Sequence, residues 1–83
     1  MIDKVGFKEW LRVTSSHSDR VINDIICRMN RADSISEWTN TDTYLFYLEK
    51  NPVFLDLTIS VRSQLRKSIR LYSEYIHSLE NAN

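Results

Sequence analysis

Three arginines, Arg62, Arg66 and Arg70, recur at every fourth residue near the end of this sequence, with Lys67 beside them and no aspartate or glutamate between Thr58 and Ser73. At that spacing the cationic groups fall along one side of a helix, where they can donate to successive phosphates or to an acidic protein surface. Solvated helix faces ordinarily mix signs, so an all-positive run leans toward an anionic partner, although a plain solvated face accounts for the same residues. Arg28 and Arg31 add positive charge earlier in the chain. Asp24, at i, i+4 from both Arg20 and Arg28, can partly neutralise that group and leaves Arg31 the freest charge in it.

Other chemistry is scarce. His17 sits among Ser15, Ser16, Ser18 and Asp19, the ingredients of a nucleophilic triad. Neighbours on one turn cannot hold nucleophile, base and orienting acid in line, so the run reads as a helix cap. Cys27 is the single cysteine, and with only His17 and His77 beside it no paired spacing for a structural metal exists; it reads as a half-buried structural thiol. His77 falls near the end of the last helix, where an imidazolium suits the dipole. One glycine, Gly6, is too few for a phosphate-cradling loop or a dinucleotide fingerprint. The expectation is no catalytic residue, no metal and no cofactor. Tyr44, Phe46, Tyr47, Phe54, Tyr72 and Tyr75 can be pictured as a base-stacking platform, but their spacing fits core packing better.

The elements that must position these residues are helical. From Thr58 to Leu79, Val61, Leu65, Ile69, Tyr72, Ile76 and Leu79 form an inward stripe beside the arginines, with Thr58 as N-cap and the polar residues Glu80 to Asn83 as the end. This helix, about six turns long, is the one around which the domain is organised. Asp3 caps a first helix from Lys4 to Val13 with Phe7, Trp10 and Leu11 inward. Ser18 or Ser16 caps a second, running to about Asp33, with Val21, Ile22, Ile25, Ile26, Met29 and Ala32 inward. Ile35 and Trp38 pin the following connection to the helices. Thr41 or Asp42 caps a third short helix with Tyr44, Leu45 and Leu48 inward, and Asn51-Pro52 ends it. Val53, Phe54, Leu55 and Leu57 then make an apolar loop that seals the core. No segment alternates with period two, so the expected fold is all-α, a small four-helix bundle.

Eighty-three residues with 42% hydrophobic side chains make one small domain. The formal charge is zero but unevenly spread: residues 1–32 carry six basic and four acidic groups, residues 33–56 one and five, and residues 57–83 four and two. A basic start, an acidic middle and a basic end can orient a binding surface even where the total vanishes. The unpaired cysteine suits a reducing cytoplasm, and neither a signal-type h-region nor an apolar run of about 18 residues occurs, so a cytoplasmic protein without a membrane span is expected.

FKEWL near the start, SSHSDRVINDIICRMNRADSI after it and VRSQLRKSIRLYSEYI near the end together resemble the N-terminal core-binding domain of tyrosine recombinases and phage integrases, a SAM-like four-helix unit. Arg62, Leu65, Ile69, Arg70, Tyr72 and Tyr75 match the family's last-helix pattern, while Val21 and Ile25 stand where its second helix usually has Thr and Tyr. The resemblance implies a module that clamps one side of a DNA duplex, while a separate domain, too large for this chain, performs DNA recombination. The family's nucleophilic tyrosine and its arginine and histidine partners have no counterpart here. The chain is then either a phage-related accessory module or a piece of a longer protein.

Two functions of different class follow. One is a non-catalytic module holding double-stranded DNA weakly by its backbone through Arg62, Arg66, Lys67 and Arg70, helped by Arg28 and Arg31, and placing a separate catalytic domain or protein on the duplex. The other is a helical protein-interaction module, its acidic middle and basic ends pairing with a partner or a second copy.

Overall fold

The computed structural model describes residues 1–81 and is all-α, with no strand among them. Helix α1 spans Lys4–Thr14, α2 Asp19–Ile35, α3 Tyr44–Lys50, α4 Pro52–Leu55 and α5 Ile59–Glu80. Of the expected polar tail, residues 82 and 83 lie outside the described residues. Asp3, Ser18 and Thr58 cap α1, α2 and α5, each accepting from a backbone N–H of the first turn, at Gly6, Val21 and Val61 respectively.

Five helices form among the described residues where four were expected. The added one, α4, replaces the apolar loop: Pro52 sits in its first turn, where a missing N–H costs nothing, and the Asn51 side chain accepts from the Val53 N–H. This single turn drives Phe54 fully into the core and leaves Val53 and Leu55 exposed. The cap of α3 also differs. Thr43 occupies the N-cap without a side-chain bond to the helix, because the Thr39, Thr41 and Thr43 hydroxyls bond to one another in sequence.

Helix α5 packs chiefly on α2, and α1 lies against both. Phe7, Leu11, Ile22, Ile25, Met29, Leu48, Phe54, Leu65, Ile69 and Tyr72 are in the core as expected, while Trp10, Leu45 and Ile76 are half-buried at its edge. The inward face of α5 is rotated from the expected stripe: Ser68 and Tyr75 are buried and Leu79 is exposed. The cause is α1, which covers that flank. The Phe7 ring meets Tyr72 edge-on at 5.0 Å and lies 5.7 Å from Tyr75, and Trp10 lies 5.9 Å from Tyr75. On the other side Trp38 stands edge-on between Tyr44 and Tyr72, which holds the connection to the helices as its sequence implies.

Asp3 joins α1 to α5. One carboxylate oxygen accepts from the Gly6 N–H at 3.0 Å, the other from the Tyr75 hydroxyl at 2.5 Å, and the Asp3 N–H donates to the Tyr72 hydroxyl at 2.9 Å. The Tyr75 hydrogen bond, then the one from Gly6, hold the Asp3 carboxyl below its ordinary range. Burial pushes Tyr75 up to about 12, and its bond to Asp3 adds to this; burial, reinforced by Asp33, does the same to Tyr44. A lowered carboxyl pKa stabilises the fold above the unfolded value of about 4 and ceases to do so as pH falls through the folded value. Raised tyrosine values contribute fully below about 10 and are lost as pH rises toward 12. Denaturation midpoints across pH should therefore decline below about pH 4, and Asp3→Asn should flatten that acid limb. An unchanged limb in the variant refutes the assignment to Asp3.

Candidate functional site

The cationic run lies on α5, but its members do not share one environment. Each i, i+4 step on an α-helix advances about 40° around the axis, so the three arginines climb from the flank of the core toward solvent. Arg62 is half-buried, and its Nε is enclosed with no hydrogen-bond partner among the described residues. Arg66 is also half-buried. Its Nε donates to Glu49 of α3 at 2.5 Å, and its guanidinium lies 5.6 Å from the Phe54 ring centre. That pair neutralises the middle of the stripe with an acid from another helix, which the local sequence does not reveal. Arg70 and Lys67 are exposed and form no ion pair with another described residue.

Around them, the outward surface of α5 between its start and Arg70 consists of Ile59, Ser60, Ser63, Gln64, Lys67 and Arg70. Five of these six side chains end in hydrogen-bond donors, and none is a carboxylate. Ser60, Ser63, Lys67 and Arg70 fall in a single row about 15 Å long at 1.5 Å per residue. Arg28, half-buried, and Arg31, exposed, stand on α2, and neither side chain forms a hydrogen bond or ion pair with the α5 group among the described residues. Asp24 approaches neither Arg20 nor Arg28 to within 4 Å, so the expected pairing on that helix does not close; instead Arg12 reaches Glu9 and Asp19 at the α1–α2 turn.

Beyond Arg70 the same helix borders a groove of about 380 Å³. Trp38, Tyr44 and Ile69 supply apolar wall, and Asp42, Arg70 and Glu74 stand among its polar lining. The sequence marks Arg70 as a cation but gives no sign of the groove, because its far wall comes from residues 38–45, some thirty positions upstream.

The other sequence candidates fall elsewhere. The Ser15 hydroxyl donates to the Leu11 carbonyl, Ser18 caps α2, and His17 is exposed. Cys27 is exposed, not half-buried, because it lies on the side of α2 away from Ile22, Ile25 and Met29. Of the aromatic group, Tyr44, Phe54, Tyr72 and Tyr75 are core, whereas Phe46 and Tyr47 are exposed and stack edge-on, with the Lys50 ammonium 4.1 Å from the Phe46 ring centre. No group of three His, Cys, Asp or Glu able to hold a metal occurs among the described residues, and no helix among them is long and apolar enough to cross a membrane. Comparison with models of known families, with curated proteins and with solved structures yields no match.

Proposed function

We propose that the chain is a non-catalytic DNA-binding module that holds the duplex backbone through the outward row of α5, a role in keeping with its sequence resemblance to recombinase core-binding domains and with a cytoplasmic setting. The observation that carries this reading is the carboxylate-free, donor-rich surface from Ser60 to Arg70. Hydroxyl, amide, ammonium and guanidinium groups are those that bind phosphate oxygens, and they position a protein without reading sequence. Lys67 and Arg70 carry the charge at the contact. Arg66, tied to Glu49, chiefly shapes the surface, and Arg62 adds charge from its edge; Arg28 and Arg31 extend the positive field from α2.

With two exposed cations in the row and no net charge, affinity at physiological salt should be micromolar or weaker, the regime of nonspecific association. Lys67→Glu and Arg70→Glu should each weaken binding to unrelated duplexes alike and lower the salt slope by about one unit or more, whereas Arg66→Gln should do less. Anisotropy titrations with two duplexes of different sequence at several salt concentrations measure this. If both charge reversals leave affinity intact, the reading fails.

A protein-interaction module is the second reading, favoured by a separate observation. Phe46, Tyr47, Val53, Leu55 and Ile59, all more than half exposed, crowd into fourteen residues of a small domain. A chain that binds no duplex but loses a partner on Phe46→Ser belongs to that class.

A further inference from the structure

The groove at the end of the α5 row differs from the row in charge. Its volume, about 380 Å³, is in the range of small-ligand sites. Trp38, Tyr44 and Ile69 give it apolar wall, and among its polar lining, beside Arg70 and His77, stand two carboxylates, Asp42 and Glu74. Those two acids disfavour a bare phosphate or an acidic peptide inside. The aromatic wall and the absence of a converging metal-ligand group among the described residues disfavour a simple cation. A flat, uncharged ring that offers N–H groups at its edge satisfies both conditions, since it packs on the wall and donates to the carboxylates. Arg70 borders the groove and also ends the phosphate row, so an anionic group attached to that ring meets a guanidinium at the entrance.

Resting on the reading of α5 as a phosphate-contacting face, we propose that the groove takes the base of an unpaired nucleotide bearing an exocyclic amino group, adenine or cytosine before thymine. The amino group donates to Asp42 or Glu74, in the manner in which carboxylates accept from cytosine N4, and the nucleotide's phosphate lies at Arg70. A duplex has no free base to offer, so it engages the row alone. The module thereby prefers the place where a duplex opens, its row on the paired segment and its groove on the first unpaired base.

The test uses single-stranded dA, dC and dT decanucleotides and one mixed-sequence duplex, titrated by fluorescence anisotropy at low salt. The expected result is dA and dC binding about five-fold more tightly than dT, the lower end of what one carboxylate-to-amine contact discriminates. Ser73, half-buried in the groove lining, becomes a plug in Ser73→Phe: the base preference should vanish while duplex affinity stays the same. If that variant unfolds, Glu74→Gln, exposed at the rim, should reduce the preference without altering the groove's volume. Equal affinity for the three single strands, or a preference that survives both variants, overturns the base site. In that case duplex binding that still falls with Lys67→Glu leaves the backbone reading standing. Absence of binding to every nucleic acid removes both and turns attention to a protein partner.

Discussion

Gly6→Ala is expected to destabilise the fold by about 3 kcal/mol, although the same change in an open helix stabilises by about 1 kcal/mol. Gly6 lies inside α1, and its conformation is ordinary, with no positive φ. What it provides is space. A Cβ there would overlap the Tyr75 hydroxyl and the Asp3 carboxylate, the two groups that bind each other over the glycine. Alanine must push α1 from α5 or break that charge-assisted bond, and either disturbs the Phe7–Tyr72–Tyr75 cluster. The double variant Gly6→Ala, Tyr75→Phe removes the hydroxyl from the clash and should recover part of the loss, a coupling that additive effects cannot produce. Urea denaturation of the single and double variants measures it. Should Gly6→Ala raise the midpoint, the close approach of α1 and α5 at this point is refuted.

Leu65→Ala should cost about 2–5 kcal/mol. Leu65 is fully buried in the hydrophobic core cluster, together with Phe54, Met29 and Ile69, so its truncation leaves a cavity that helices anchored at several points cannot easily close. Domains of this size have total stabilities of about 5–15 kcal/mol, and a loss near the top of the range leaves a partly unfolded population at room temperature. Leu79→Ala, at an exposed position of the same helix, is the contrasting control and should change the midpoint little. Equal effects from the two would contradict the rotation of α5 described above.

Legibility in the sequence followed the range of the interactions. The caps at Asp3, Ser18 and Thr58, the break at Asn51-Pro52 and the helical periods are set within a few residues of themselves, so local pattern sufficed for the all-α class and for most boundaries. Rotation of α5 by one flank was hidden, because whether Tyr75 or Leu79 turns inward depends on where α1 lies, not on the helix alone. The same holds for the cationic run. Local spacing put Arg62, Arg66 and Arg70 on one stripe, but Glu49, seventeen residues before Arg66, decides that the middle member is neutralised. Helix α4 was hidden for another reason. A single turn is too short to show a period, and its Asn-Pro start is equally the signal for the end of α3.

The bond from Tyr75 to Asp3 spans seventy-two positions of the chain, and this sets an order of events in synthesis. As the polypeptide leaves the ribosome, α1 and α2 can form from their own caps, but α1 has no settled seat while the aromatic surface of α5 is still unmade. The apolar ring of Phe7 and the one glycine shaped to receive Tyr75 wait through the synthesis of nearly the whole domain. Closing so long a loop adds an entropic cost that grows only with the logarithm of its length. It does, however, tie the first turn of α1 to the distant end of α5, so these helices should reach the native state in a single step that waits for α5, with no stable half-domain before it.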